Sequence, residues 1–275
     1  MNKEITWVCQ KGRPLKEEIT SHLSRKYYKH LKSLKVVFYV NGTVFKNYEL
    51  VQKGDVIAFF LPQEQRKSSW EPLAEKLRIY YENENYLIVY KPSFLLTIPT
   101  KAEPKSLYQM LCHYLKSETI HILNRLDKET CGLVVVAKNR YAAFLMQPVH
   151  QKMIRKYRCM VEGCVSEGGH IENYLAKAEN SKKRYVTTDK NQGQLAISDY
   201  TVLLSGKDRS LLEFVLKTGR THQIRVHTSS MGHPICGDTF YGACEDEQFY
   251  LESCEVEFTD PFTKEEIKVL TENRW

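Results

Sequence analysis

The sequence predicts an α+β fold in which helices flank a mixed, mainly antiparallel sheet. Short apolar stretches rich in β-branched residues recur along the chain, and polar turns of hairpin length join several of them. Helical patterns are interspersed among these hairpins, which favours an α+β arrangement. The chain of 275 residues is 42% hydrophobic and 27% charged, as expected of a soluble globular protein with core enough for a large and a small domain.

Residues 1–62 are predicted to form a small α+β module. Apolar side chains follow an i, i+4 spacing among charged ones through residues 16–32, which predicts one amphipathic helix. Residues 36–45 predict a β-hairpin, because the central Asn41-Gly42 pair suits a two-residue turn. A further strand is expected at residues 56–61.

Residues 63–72 are polar and lack periodicity, so we interpret them as a linker to a larger domain at residues 73–275. The larger domain is predicted to begin with a β-hairpin formed by residues 78–81 and 86–90. Other elements of this domain are predicted as strands at residues 133–137, 156–161, 199–204 and 211–216, and as helices at residues 107–116, 141–146 and 221–231.

The helix predicted at residues 221–231 has recognisable ends. Thr221 can cap it, Gly232 can end it, and Pro234 prevents its continuation. Its periodicity places Arg225 on a polar stripe near the helix start. The backbone amides at that end, together with Arg220, could therefore hold a phosphate group.

The stretch of residues 121–138 combines charge with burial. Arg125 and Asp127 lie in a polar turn, and the apolar run of residues 133–137 follows closely. That run is short and β-branched, so it predicts a buried strand that anchors the charged turn. A carboxylate held near a guanidinium at the mouth of a buried strand is a candidate reactive group. The alternative is a structural ion pair that closes the turn.

The net charge of +7 is distributed unevenly. Residues 1–70 carry 13 Lys and Arg against 6 Asp and Glu, residues 71–237 carry 24 against 16, and residues 238–275 carry 3 against 11. The basic N-terminal and central regions suit a polyanionic partner such as nucleic acid. A solvated surface with an incidental charge bias would give the same totals.

Several classes of protein are disfavoured by the sequence. No apolar run approaches the ~20 residues of a membrane-spanning helix, and the first residues lack the features of a signal peptide, so we expect a cytoplasmic protein without a membrane partner. The eight cysteines include no Cys-x-x-Cys pair, and we expect free thiols and no metal. No Rossmann fingerprint or phosphate loop occurs.

Three ordered blocks of the sequence resemble the RluA-type pseudouridine synthase family. They comprise Arg125-Leu126-Asp127 with Thr130, Gly132-Leu133 and Ala137-Lys138, then Arg155-Lys156-Tyr157, then residues 216–225 with Gly232-His233-Pro234 and Gly237-Asp238. Two positions depart from the family pattern, since Asn124 stands in place of the usual His and Cys131 in place of the usual Ser. Both flank Asp127 and do not replace it.

The resemblance implies a cofactor-free RNA enzyme that converts uridine to pseudouridine. It implies that the ionised carboxylate of Asp127 acts on either the base or the sugar, that Arg225 holds that charge, and that Tyr157 stacks on the base. Core packing of Tyr157 is the alternative. The side chains expected to bind RNA in this domain are Arg125, Lys156, Lys182, Lys183, Arg184, Arg220 and Gln223.

Residues 1–62 resemble the ribosomal-protein-S-four type of RNA-binding module. The resemblance is carried by Leu23-Ser24-Arg25, by the hairpin turn and by Lys53-Gly54-Asp55. It implies that Arg25 and Lys29, on one face of the predicted helix, meet phosphates. A charged helix face without a partner is the alternative.

The function most consistent with these features is isomerisation of uridine in structured RNA, with ribosomal RNA favoured over transfer RNA. One alternative is a catalytically silent RNA-binding protein on the same fold. Another is hydrolytic removal of the base through Asp127. A monomer is the default expectation.

Overall fold

The computed structural model describes residues 3–62, 70–117, 119–272 and 274–275. The chain divides into two compact units, Met1–Lys67 and Ser68–Trp275. The division falls inside the segment predicted as a linker, of which residues 63–69 lie outside the described residues. No described helix has the length and apolarity needed to cross a membrane.

The first unit contains two helices and two small sheets. One sheet has four strands in the order β1-β6-β3-β4, and the other pairs β2 with β5. The elements are β1 (Glu4–Val8), β2 (Arg13–Pro14), α1 (Leu15–His22), α2 (Arg25–Ser33), β3 (Phe38–Val40), β4 (Thr43–Val44), β5 (Leu50–Val51) and β6 (Val56–Phe60).

The prediction of a single helix at residues 16–32 is wrong, because the structure has two helices there, α1 and α2, separated by Leu23 and Ser24. The Ser24 hydroxyl accepts a hydrogen bond from the backbone N–H of Tyr27 at 3.1 Å and so caps α2. The predicted hairpin is confirmed, with Asn41 and Gly42 both at positive φ in the turn between β3 and β4.

The second unit is built on one sheet of eleven strands. Its elements are β7 (Arg78–Glu82), β8 (Tyr86–Lys91), α3 (Leu107–Leu115), β9 (His121–Ile122), β10 (Cys131–Ala137), α4 (Arg140–His150), β11 (Ile154–Glu162), β12 (Gly169–Lys177), β13 (Arg184–Thr187), β14 (Gln194–Ser205), β15 (Arg209–Leu216), α5 (Gln223–Ser230), a 3₁₀ turn (Thr239–Tyr241), β16 (Leu251–Thr259) and β17 (Glu266–Leu270).

The main path of this sheet runs β13-β12-β14-β15-β11-β16-β10-β8-β7. The pairing of β10 with β16 is parallel, and the pairings on either side of it are antiparallel. The α+β class with a mixed, mainly antiparallel sheet is therefore confirmed. The predicted hairpin of β7 and β8 is confirmed as well.

Strand β10 lies at the centre of the unit and is buried at every residue. Val134 and Val136 pack into a core cluster different from that of Leu133 and Val135, so apolar layers cover both faces of the strand. One edge of β10 pairs with β8 along most of its length. The other edge pairs with β16 at its start and with β9 at its end.

The predicted helix at residues 221–231 is shorter in the structure, where α5 spans Gln223–Ser230. His222, at a φ of 58°, occupies the N-cap position that we expected of Thr221. Gly232 adopts a positive φ just after the helix, as its predicted role as a terminator requires.

Candidate active site

Asp127 lies in the loop of residues 123–130, which returns from β9 to the start of β10. This loop runs along the edge of β10 that neither β9 nor β16 fills. The Asn124 side chain takes the place of a neighbouring strand there. Its Nδ2 donates to the carbonyl of Leu133 at 3.1 Å, and its Oδ1 accepts from the backbone N–H of Val135 at 2.7 Å. The site loop is thereby fixed to the buried strand.

A buried lysine supports the same loop from β8. The Lys91 ammonium is fully buried and donates to the carbonyl oxygens of Pro92 at 2.9 Å, Leu95 at 2.7 Å and Lys128 at 3.1 Å. Burial lowers the pKa of Lys91 to about 8, which is opposed by negative charges that include that of Asp127. Lys91 therefore remains a cation at neutral pH, next to the site carboxylate.

The Asp127 carboxyl group lies in a recess where 29% of its side chain is exposed. Protein atoms surround it closely, so desolvation raises the pKa of Asp127 to about 6. The charges of Arg225 and Lys91 oppose this rise, and those of Glu129 and Asp238 add to it. The balance leaves a carboxyl group that is mostly ionised at neutral pH.

The Arg225 guanidinium does not form the direct ion pair with Asp127 that we expected. It binds Asp238 in a bidentate pair, with Nε to Oδ2 at 2.7 Å and Nη2 to Oδ1 at 2.8 Å. Its Nη1 donates to Glu129 Oε2 at 3.3 Å. The Arg225 side chain is 4% exposed, so the polar stripe predicted for it faces the protein and not solvent. Arg225 acts on Asp127 through its charge, across a buried network of carboxylates.

Among the described residues, the basic side chain within ion-pair distance of the Asp127 carboxylate is that of His222. Its Nε2 lies 3.9 Å from Asp127 Oδ2. Its Nδ1 lies 2.8 Å from the phenol oxygen of Tyr241, which accepts the backbone N–H of Arg184 at 2.8 Å. Phe240, which is 43% exposed, stands edge-on to the imidazole and borders the recess.

Tyr157 lies in β11 and is buried. It packs in the core cluster that covers one face of the sheet, opposite Phe214 on β15 and Ser253 on β16. Burial raises the pKa of Tyr157, and the charge of Asp127 contributes to that rise. The phenol is therefore protonated at neutral pH and lies close enough to respond to the site carboxylate.

Gln223, which we expected to bind RNA, is buried and fully engaged within the protein. Its Oε1 accepts from the Thr218 hydroxyl at 2.8 Å and from the Arg220 backbone N–H at 2.9 Å. Its Nε2 donates to the Ile197 carbonyl at 3.0 Å and to Ser198 Oγ at 2.9 Å. This residue is a clamp between α5 and β14, and the prediction that it contacts RNA is corrected.

Lys156, also expected to contact RNA, is neutralised by two carboxylates. Its ammonium lies 3.2 Å from Glu255 and 3.6 Å from Glu213. Both partners belong to strands that flank β11. Its charge therefore stabilises the sheet, and a phosphate would have to compete with two anions.

The other predicted RNA-binding side chains lie at the surface. Arg184 is partly exposed at the start of β13, and Lys183 lies with its ammonium 5.8 Å from the Phe240 ring centroid. The exposed members of the set are Arg125, Lys182, Lys183 and Arg220 in the second unit and Arg25 and Lys29 on α2 in the first.

Sequence reasoning missed the carboxylates and the lysine that set the charge of the site. Glu129 and Asp238 lie inside the recognised motifs. Their contacts with Arg225 arise only when the chain folds, so the sequence did not reveal them. Lys91 could have been noticed as a charged residue that ends an apolar strand. The described residues contain no group of His, Cys, Asp and Glu placed to hold a metal.

A cavity of about 540 Å³ lies behind the loop, between β9, α3 and α4. Its lining includes Ile122 and Leu123 but not Asp127. Asp127 therefore lies outside this cavity.

Comparisons with known proteins identify relatives of this chain. Residues 85–230 match the family described as RNA pseudouridylate synthase, and Asp127, Tyr157 and Arg225 fall inside that match. An uncharacterised RNA pseudouridine synthase of Bacillus subtilis, YjbO, is 31% identical over 240 residues, covering 83% of this chain and 84% of the relative. Ribosomal large subunit pseudouridine synthase D of Zymomonas mobilis is 31% identical over 236 residues, covering 82% and 74%.

Solved structures show the same fold. Human RNA Pseudouridylate Synthase Domain Containing 1 aligns with a TM-score of 0.62 at 22% identity, over 74% of this chain and 86% of that one. Human RNA Pseudouridylate Synthase Domain Containing 4 aligns with a TM-score of 0.57 at 22% identity, over 72% and 89%.

Proposed function

This chain belongs to the RNA pseudouridylate synthase family, and on that premise we propose that it isomerises uridine to pseudouridine in ribosomal RNA through Asp127 and without a cofactor. The observation that carries the proposal is the position of Asp127. It is a desolvated carboxylate in a recess, on a loop fixed to the central strand, with the positive charges of Arg225 and Lys91 beside it.

The reaction needs an ionised group that acts on the nucleotide. The bond between the ribose and the uracil nitrogen breaks, the base turns, and a carbon of the base bonds to the sugar. Whether Asp127 acts on the base or on the sugar, its carboxylate must be unprotonated at the start. A pKa of about 6 satisfies this at neutral pH while keeping the group basic enough to accept a proton.

We assign Tyr157 to stacking against the uracil and Arg225 to electrostatic support of Asp127. Tyr157 is supported in this role by its nearness to Asp127, whose charge contributes to its raised pKa, whereas its burial in the core cluster favours the packing alternative. Its raised pKa means that the phenol takes part in proton transfer only as a neutral donor or relay. Arg225 is supported by its charge, which favours the ionised form of Asp127.

The RNA would be held by exposed basic side chains. Arg125, Lys182, Lys183 and Arg220 are exposed in the second unit and suit phosphate contacts, which position a nucleic acid without reading its sequence. Arg25 and Lys29 extend the same chemistry to the first unit. The target uridine must leave its stack, which costs a few kcal/mol and favours loops over duplex. Relatives named for the large ribosomal subunit support ribosomal RNA as the substrate.

The proposal is tested by mapping pseudouridine in total RNA from cells that lack the gene. Restoring the wild-type gene should return one or more pseudouridines in ribosomal RNA, and Asp127→Asn should not. Asp208→Asn, at an exposed hairpin turn, is the matched control and should behave as wild type.

The rival functions predict other results. A catalytically silent RNA-binding protein would leave every modification map unchanged. Hydrolysis of the base would release free uracil in proportion to the RNA consumed. Restoration of the same sites by Asp127→Asn would contradict the role of Asp127.

A further inference from the structure

The His222 imidazole lies between the Tyr241 phenol and the Asp127 carboxyl group. The residue caps α5 with a left-handed backbone at a φ of 58°. Its side chain is 13% exposed. One nitrogen lies 2.8 Å from the Tyr241 phenol, and the other lies 3.9 Å from the Asp127 carboxylate.

The hydrogen bonds around Tyr241 favour one position for the proton on the His222 imidazole. A backbone N–H can only donate, so the Tyr241 oxygen accepts the hydrogen bond from Arg184 at 2.8 Å. The phenol proton then has His222 Nδ1 as a partner at 2.8 Å, and we assign Nδ1 as the acceptor. A neutral imidazole that accepts at Nδ1 is protonated at Nε2. That nitrogen lies 3.9 Å from Asp127 Oδ2.

The imidazole is neutral under the conditions in which the site works. Burial and, to a smaller extent, the nearby charge of Arg225 lower the pKa of His222 to about 4. His222 therefore offers Asp127 a hydrogen-bond donor without adding a positive charge.

We propose that His222 is a positioning residue that donates its Nε2–H to the carboxylate of Asp127, at the end of a relay that starts at the Arg184 backbone amide and passes through the Tyr241 phenol. The inference rests on the proposed function, in which Asp127 acts on the nucleotide. The separation of 3.9 Å between Nε2 and Oδ2 is longer than a hydrogen bond, and a small rotation of either side chain in the resting protein closes it.

The other charged groups around Asp127 are already committed to different partners. From α5, the Arg225 guanidinium is directed at Asp238 and Glu129. From β8, the Lys91 ammonium is directed at backbone carbonyls. Glu129 and Asp238 are anions and repel the Asp127 charge. These groups set the electrostatic potential of the recess, whereas His222 is placed to fix the direction of the carboxylate.

A donor to the ionised form lowers the pKa of a carboxyl group, so its loss raises that pKa. It also frees the carboxylate to rotate, which slows the chemical step more than it weakens RNA binding. The consequence is a fall in kcat with KM nearly unchanged, together with a shift of the acid limb of the pH profile to higher pH.

The test compares His222→Gln with His222→Asn in the full-length protein. Glutamine can return an N–H donor near the position of Nε2, whereas asparagine tolerates the left-handed backbone but is too short to reach Asp127. The Asp127 titration is followed by ¹³C NMR of the carboxyl group, assigned with Asp127→Asn. We expect His222→Asn to raise the pKa of Asp127 by about one unit and to lower kcat about tenfold. His222→Gln should restore most of both.

Two results would overturn the inference. One is an Asp127 titration that is the same in wild type, His222→Asn and His222→Gln. The other is a ¹⁵N spectrum of wild-type His222 that shows the proton on Nδ1. Neither measurement requires turnover. If the wild type forms no pseudouridine, the proposed function is rejected, but these two measurements still test the inference about His222.

Discussion

At the residue scale, the site is governed by competing effects on one carboxyl group. Burial favours protonated Asp127, and the charges of Arg225 and Lys91 favour the ionised form. The result is a pKa of about 6, against an ordinary value of 3.8. A group that titrates just below neutral pH can be ionised in the resting enzyme and still accept a proton.

The first prediction follows from that pKa. Because the proposed reaction requires the carboxylate, kcat/KM should be level above about pH 7 and should fall about tenfold per pH unit well below the pKa of Asp127. The midpoint should lie near pH 6, and the measurement is the pH dependence of kcat/KM under subsaturating RNA, with protein stability checked at each pH. A rate that stays level from pH 7 to pH 5 would contradict the assignment of Asp127.

The second prediction concerns the buried pair of Arg225 and Asp238. Arg225→Met removes the cation and leaves Asp238 buried without its partner, which should cost about 3–5 kcal/mol of stability and abolish turnover. Adding Asp238→Asn should recover much of the stability without restoring turnover, because the charge that supports Asp127 is still missing. Denaturant unfolding and single-turnover assays separate the two effects. Recovery of activity in the double variant would show that Arg225 serves stability alone.

The sequence identified Asp127, Tyr157 and Arg225 as the residues of interest, but it misjudged the contacts of Arg225. The motif shows which residue types are present. The carboxylate that pairs with Arg225 could be Asp127, Glu129 or Asp238, and the outcome depends on how β10 and α5 approach each other. Gln223 was misjudged for a similar reason. A glutamine side chain can bind RNA or form four hydrogen bonds within the protein. Gln223 forms the internal hydrogen bonds because it is buried.

At the scale of elements, the loop that carries Asp127 is held by the Asn124 side chain, which forms the hydrogen bonds that a neighbouring strand would otherwise form. Asn124 donates to Leu133 and accepts from Val135 on the open edge of β10. This explains how the departure from the usual family residue at position 124 is accommodated next to the site.

The third prediction tests that anchor. Asn124→Ala leaves a buried carbonyl and a buried amide without these partners, which should cost about 1–3 kcal/mol and loosen the loop. We expect faster hydrogen exchange at the Val135 amide and a lower kcat. Asn191→Ala, in an exposed turn, is the control and should change neither. Unchanged exchange at Val135 in Asn124→Ala would show that the loop is fixed by other contacts.

Most helices and hairpins could be predicted because their local patterns agree with the final fold. The break between α1 and α2 was missed because the apolar side chains of both helices continue one spacing, and Ser24 was not recognised as a cap. Strand β16 was missed because Glu252 and Glu255 interrupt its apolar pattern. Both glutamates are buried in the folded sheet, where Tyr90 donates to Glu252 and Lys156 pairs with Glu255.

At the scale of the whole molecule, the excess of basic residues in the N-terminal part of the sequence can be located in the structure. The first compact unit carries α2, from which Arg25 and Lys29 project into solvent. We expect these charges to contribute affinity for RNA without affecting the chemical step, because phosphate contacts add binding energy irrespective of sequence.

The fourth prediction is therefore made for the double variant Arg25→Gln and Lys29→Gln. Removing two phosphate contacts should weaken RNA binding and reduce the slope of log affinity against log salt by about one to two. The kcat at saturating RNA should not change. A control with Lys11→Gln and Lys46→Gln removes the same charge from exposed positions off the helix. Equal loss in both variants would indicate a general charge effect in place of a binding face on α2.

The central claim is that the ionised carboxylate of Asp127 isomerises uridine. The most direct measurement uses purified protein and an RNA that contains the mapped site, with pseudouridine yield and RNA affinity determined for wild type and Asp127→Asn in parallel. The account predicts complete conversion by wild type and none by Asp127→Asn, at nearly equal RNA affinity. Pseudouridine formation by Asp127→Asn at the wild-type rate would contradict it.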